Sequence, residues 1–219
     1  MRRSSRRTTT SFVALATLMV GLMAGIAGSS SASASPGRAR ASDVVRATAT
    51  SVRRVNPLNS AGHLRARYTV ATTRKGHCWT SSLVNGHLYR CLHRNLILDP
   101  CWKESGRDSV VCLPTPWATR VTRLQLTRKL PGTSSGGPRL WGLRIGEGIH
   151  ANCEISQGAT ILVGGKPLSY FCQRGWGLRG QHPNRSTPVW TMDTAKRVNG
   201  SYVPRGPRRL PVAWKPVVH

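Results

Sequence analysis

Six cysteines, Cys78, Cys91, Cys101, Cys112, Cys153 and Cys172, constrain what this 219-residue chain can fold into more than any other feature. Turn-forming pairs stand between them: Asn85-Gly86 between the first two, Ser105-Gly106 between the middle two, Gly164-Gly165 between the last two. Asn-Gly and Gly-Gly suit tight hairpin loops because both positions accept positive φ. A hairpin sets residues that flank its turn about equally opposite each other, at disulfide distance. The pattern therefore predicts Cys78–Cys91, Cys101–Cys112 and Cys153–Cys172, each closure contributing about 3 kcal/mol in the chain-entropy model. No Cys-x-x-Cys pair occurs, so the spacing excludes the common zinc sites and no metal is expected.

The residues around these cysteines alternate with the period of strands. Ile149, Ala151, Cys153 and Ile155 share one face of a segment whose other face carries His150, Asn152 and Glu154. The same alternation runs through Trp141, Leu143 and Ile145, through Leu168, Tyr170 and Cys172, and through Leu210, Val212 and Trp214. No apolar set recurs at helical spacing over three turns, so the expected class is all-β: short antiparallel strands in disulfide-closed hairpins, forming either a sandwich or a small barrel. Tyr89 and Tyr170 each stand two residues before a cysteine, which places ring and sulfur on one strand face. That Tyr-x-Cys echo of immunoglobulin-type sandwiches leaves an inter-sheet Cys112–Cys172 bridge open, although the tryptophan such a sandwich needs after its first cysteine is missing.

The N-terminus has the order of a secretory signal: Arg2, Arg3, Arg6 and Arg7, an apolar run from Phe12 to Gly28, then Ala32-Ser33-Ala34. The Arg6-Arg7 pair hints at twin-arginine export, but Thr8 to Thr10 stand where an apolar residue belongs. Cleavage after Ala34 is expected, with residues 35–63 a flexible basic tether and 64–219 the β-domain. The tether call rests on a segment without cysteine or aromatic residue, which has little to offset its ordering entropy. A short helix over Asp43 to Val55 is the alternative, disfavoured by its valines and threonines. No second apolar stretch is long enough to span a membrane, and secretion, free or wall-associated, is the expected location. Removing the four signal arginines takes the formal charge from +26 to +22. Such a surface attracts polyanions at long range. Arginine supplies 27 of the 33 basic residues, a bias that a GC-rich genome also produces, so the charge by itself proves no ligand.

Catalytic readings meet physical obstacles. Gly132-Thr-Ser134-Ser-Gly136 fits Gly-x-Ser-x-Gly, and with Pro138 it is similar to the serine-bearing loop of chymotrypsin-like proteases, preceded by His77 and Asp99. The interval from His77 to Ser135 is too short to hold two barrels, and Thr133 and Ser134 replace the Gly and Asp that shape the oxyanion hole. A nucleophile elbow needs a following helix, where Pro138 and further strand stand instead. Carboxylate catalysis has Asp99, Glu104, Asp108, Glu147, Glu154 and Asp193 to draw on, and Glu147, set between Gly146 and Gly148, has the least ordinary context. Asp99 reads as a turn former, Glu104 and Asp108 as a solvated hairpin tip, and Glu154 as outward-facing. The histidines, among them His63, His87, His93, His150 and His182, have no metal-box spacing.

Seven tryptophans remain, most of them expected in the core. Arg174-Gly-Trp176-Gly-Leu-Arg179 is the exception, because flanking glycines leave the ring little cover and two arginines stand near it. The cysteine half-motifs Cys78-Trp-Thr-Ser-Ser, Tyr-Arg-Cys91, Asp99-Pro-Cys101 and Val-Val-Cys112 resemble a pattern in secreted proteins of actinobacteria and other soil bacteria, over the interval from Cys78 to Cys172. That resemblance implies export and disulfides; it carries no catalytic residue and no established activity. The expectation is a secreted, cofactor-free, non-catalytic domain that binds anionic or glycan polymers of a cell envelope through Trp176, Arg174 and Arg179. A wall hydrolase using Glu147 with Glu154 and a disulfide-rich protein inhibitor stay open as alternatives. No nucleic-acid module is present.

Overall fold

The structure is a computed structural model, and it describes residues 47–136 and 139–218. They form fourteen strands: β1 (Ser51–Val55), β2 (Thr69–Ser81), β3 (Tyr89–His93), β4 (Leu96–Lys103), β5 (Ser109–Cys112), β6 (Arg120–Leu126), β7 (Gly142–Ile145), β8 (Ala151–Ile155), β9 (Leu162–Val163), β10 (Lys166–Cys172), β11 (Trp176–Asn184), β12 (Trp190–Val198), β13 (Ser201–Leu210) and β14 (Val212–Pro216). The helical content among the described residues is one 3₁₀ turn, Gln173–Gly175. The fold is all-β, as the alternation predicts, and no described helix is long and apolar enough to cross a membrane.

Strands β2 to β6 make a closed barrel. Each pairs antiparallel with the next, and an up-and-down path of five strands brings its first and last strands side by side in the same direction. β2 and β6 accordingly pair in parallel, from Thr69 opposite Arg120 to Gly76 opposite Leu126. Two disulfides, Cys78–Cys91 and Cys101–Cys112, fill the interior with Val110 and Leu124. The strands approach closely here: a Cβ on Gly76 would lie 2.3 Å from the Leu92 carbonyl oxygen.

The second sheet runs β1-β14-β7-β8-β10-β11-β12-β13, with β9 paired to β10. β13 at one end and β14, next to the other end strand β1, belong to one stretch of chain, because only Pro211 separates them. The first half of that stretch pairs with β12 and the second half with β7. The sheet therefore curls around on itself, and the Gly146 N–H donates to Arg209 O at 3.0 Å across the gap. Inside the curl Leu143, Ile145, Tyr170, Leu178, Met192 and Leu210 form one core, with Cys153–Cys172 beside them. A second core, in which Trp102, Trp141 and Trp214 are buried, joins barrel and curled sheet.

All three disulfides join residues in direct cross-strand register, so the local pairing holds and no inter-sheet Cys112–Cys172 bridge forms. Gly164-Gly165 is the tight turn expected, with both φ positive. Asn85-Gly86 is not. It sits in the wider loop between Ser81 and Tyr89, where the buried Asn85 amide donates to Pro216 O and its carbonyl accepts from the His87 N–H. The tight Asn-Gly hairpin is instead Asn199-Gly200, between β12 and β13.

The tether expectation needs correction. Residues 1–46, and with them the signal segment, lie outside the described residues, but residues 51–58 belong to the domain. β1 pairs in parallel with β14, Thr50 donates its hydroxyl to Leu210 O at 2.7 Å, and Val55 and Leu58 are buried. Backbone pairing orders a segment whose first four strand residues are exposed, so a paucity of apolar side chains did not reveal it. The alternative of a short helix over Asp43 to Val55, disfavoured by its valines and threonines, gives way at its described end to a strand.

Candidate binding cleft

The fold separates the residues of the expected aromatic and arginine patch. Trp176 opens β11 opposite Lys196 and packs at the edge of the core inside the curl, with the Lys196 ammonium 5.2 Å from its ring centre. Arg179 lies an odd number of residues along the same strand and so points to the other face. There its guanidinium donates to Thr194 O at 3.1 Å and Val163 O at 2.8 Å. Arg174 stands in the 3₁₀ turn with a positive φ of 59° and donates to Ile149 O at 3.1 Å. The cation over Trp176 is thus a lysine from the neighbouring strand, and both arginines are engaged by backbone carbonyls.

The carboxylates do not gather either. Glu154 is outward-facing as expected, three residues below the level at which the β7–β8 turn begins, which is about 10 Å along a strand. Partial burial pushes its carboxyl above the usual range. Glu147 is in that turn at φ 51°, 3.6 Å from the Arg209 guanidinium. Glu104, read from sequence as a solvated hairpin tip, is buried and gripped by Arg123. Asp99, read as a turn former, lies in β4 and is buried; its carboxylate accepts from the Ser82 hydroxyl and, at 3.1 Å, from the Leu83 N–H. Sequence reasoning missed both buried acids because their partners come from other strands.

The Gly-x-Ser-x-Gly segment is a structural strap. Ser134 N–H donates to Gly86 O and Gly86 N–H donates to Gly136 O, both at 3.0 Å, while the Ser134 hydroxyl meets that of Ser81. No described histidine or carboxylate pairs with Ser134. Three sulfurs, of Cys91, Cys101 and Cys112, lie within 4.8 Å of one another. All three are in disulfides, and metal ligation needs thiolate.

A cleft of about 810 Å³ opens on the curled sheet, walled by β10, β11 and the segment after β8. Arg139 and Arg185 both line it, and its lining includes no aspartate or glutamate. Neither guanidinium makes an ion pair with another described residue. Arg185 lies over the Trp190 ring at 4.3 Å. Burial pushes the Tyr170 phenol up to about 12, against the opposing pull of Arg139 and Arg185, so both cations act on the same hydroxyl. The outer wall is pinned to the barrel: Gln157 donates to Asp99 O at 3.0 Å and accepts from Arg90 at 2.9 Å. Chain order hides this site, since Arg139 precedes β7 and Arg185 follows β11, and no motif links them.

In comparisons with known proteins, the chain matches no family model, no curated protein and no solved structure. The resemblance of its cysteine pattern therefore stands on its residues alone.

Proposed function

We propose that this chain is a secreted, non-catalytic binding domain for anionic or glycan polymers of a cell envelope. The observation that carries the reading is the cleft, where two arginines free of ion pairs face a lining without a carboxylate. The formal charge of +26 supports it, because a strongly cationic domain concentrates polyanions near its surface. Export is supported by the signal-like N-terminus, by three disulfides, and by the likeness of the half-motifs to those of secreted actinobacterial-type proteins. Binding by Trp176, Arg174 and Arg179 as one patch is not part of this reading, since Arg179 points to the face opposite Trp176 and both guanidiniums are engaged by backbone carbonyls.

The test is cosedimentation of the mature protein with isolated cell walls over a range of salt. Charge-driven binding weakens linearly in a log-log plot as counterions compete, and the slope counts the neutralised anionic groups. Absence of binding at low salt would refute the reading. N-terminal sequencing of the exported protein is expected to begin at or near Ser35, and recovery of only the full-length chain in membranes would refute secretion.

A further inference from the structure

We infer that the cleft is a subsite for one acidic sugar unit of such a polymer, its carboxylate or phosphate clamped between Arg139 and Arg185. This rests on the proposed function and specifies the ligand. An exposed arginine alone is no site, and several arginines are already engaged: Arg209 meets Glu147, Arg123 meets Glu104, and Arg179 and Arg174 bond carbonyls. Arg139 and Arg185 differ in their position. They come from distant parts of the chain and line one cavity whose lining includes no carboxylate. The Arg185 guanidinium, 4.3 Å from the Trp190 ring centre, has part of its freedom restricted before any ligand arrives, and its fork of N–H donors suits bidentate capture of an oxyanion.

The remaining lining selects the rest of the ligand. Ser156, Ser169 and Gln181 offer hydroxyl and amide groups, which suit sugar hydroxyls, while the half-buried Pro167 offers a small apolar surface for a C–H face. The cavity is much larger than a bare anion needs and lies within the usual range of small-ligand clefts, about 300–1,000 Å³. It offers little of what a run of nucleobases requires. Single-stranded nucleic acid is held by stacking on successive open aromatic faces, and of the rings in this lining Tyr170 is only 3% exposed, which leaves the single imidazole of His182.

The experiment titrates the full mature chain with D-glucuronate, glycerol 3-phosphate and neutral glucose, followed by backbone amide NMR. Glucuronate or glycerol phosphate is expected to shift amides of β10 and of Gln181 to Arg185, with glucose much weaker. Arg139→Ala and Arg185→Ala are each expected to weaken acid binding about tenfold or more, the scale of one lost charged hydrogen bond. Arg205→Ala, which removes an equal charge from exposed β13, should leave it unchanged. Glucuronate binding alone assigns a carboxylate source, glycerol phosphate alone a phosphate source, and both together a general oxyanion clamp. The inference is overturned if no cleft amide moves, if Arg205→Ala weakens binding as much as the cleft variants, or if an oligothymidylate binds there more tightly than either acid. Wall binding that survives Arg139→Ala and Arg185→Ala would remove the subsite and leave the proposed function standing. Acid binding at the cleft without any wall binding would do the reverse.

Discussion

Arg123 on β6 grips both carboxylate oxygens of Glu104, at 2.7 and 2.8 Å, and closes the exit of β4 onto the far side of the barrel. The Ser109 hydroxyl donates to the same carboxylate at 2.6 Å. Burial alone would raise the Glu104 pKa, but the hydrogen bonds from Arg123 and Ser109 outweigh it and hold the carboxyl below its usual range. A depressed carboxylate stabilises the fold above its unfolded pKa, about 4.3, and that contribution disappears as pH falls through the folded value. Thermal melts should therefore show stability lost below about pH 4. Glu104→Gln should cost about 3 kcal/mol at neutral pH, because it leaves Arg123 without its counter-charge, and should flatten the acid limb.

Asp99 has the opposite sign. Burial dominates and raises its pKa, in spite of hydrogen bonds from Ser82 and Leu83 and the nearby Arg90. A raised carboxyl favours the fold most when protonated, so its contribution is present at low pH and fades as pH rises through the folded value. Asp99→Asn removes the buried charge and keeps one acceptor, for the Leu83 N–H, while its N–H₂ faces the Ser82 hydroxyl, which can turn to accept. Denaturant melts at neutral pH should show it within about 1 kcal/mol of wild type, the net worth of one hydrogen bond. A loss like that of Glu104→Gln would mean that the Arg90 pair, 3.8 Å away, matters more than the cost of burial.

Hairpins were legible in the sequence because a strand period and a turn are local. Cys153 and Cys172 are nineteen residues apart around Gly164-Gly165, a turn that folds β9 onto the start of β10 while β8 pairs with its end. Closure of the barrel was not legible, since parallel pairing of Thr69–Gly76 with Arg120–Leu126 joins segments some fifty residues apart without any shared pattern. Asn85-Gly86 misled for a similar reason. Its side chain is drawn into contact with Pro216, and Ser134 and Gly136 take up the backbone of Gly86. The cleft was hidden most completely, because Arg139 and Arg185 meet only after β7 to β11 have formed the wall between them. Trp176 was recognised as partly uncovered, but the covering cation, Lys196, comes from β12.

Gly142 marks the tightest place in the core that joins barrel and curled sheet. A Cβ there would lie 2.6 Å from Pro116 Cγ, 3.2 Å from Cys153 O and 3.3 Å from Trp117 Cζ3. Proline and carbonyl cannot swing aside, so relief requires the β7 backbone to shift against β8. Gly142→Ala should destabilise by about 1–3 kcal/mol, the usual cost of overpacking. Gly106→Ala, where a Cβ would meet nothing within 4 Å but φ is +65°, isolates backbone strain from collision. Chemical denaturation of the two variants separates the causes, and the steric argument fails if Gly142→Ala melts like wild type.

Tyr170 reports on the cleft from below. Its hydroxyl donates to Leu140 O at 3.0 Å, and burial pushes its ionisation up to about 12, against the downward pull of Arg139 and Arg185. A phenol raised above its ordinary value of 10 stays neutral in the fold while the unfolded chain ionises. Its contribution to stability is therefore full below pH 10 and lost as pH climbs toward 12, on the order of 3 kcal/mol across that window. Alkaline absorbance titration should resolve one of the four tyrosines ionising near pH 12, together with loss of native structure. Tyr170→Phe should remove this alkaline destabilisation and cost about 1 kcal/mol near neutrality through the lost hydrogen bond. Removing Arg139 or Arg185 should raise the Tyr170 transition further, because each guanidinium favours the phenolate. If neither substitution moves it, the two cations do not act on the hydroxyl.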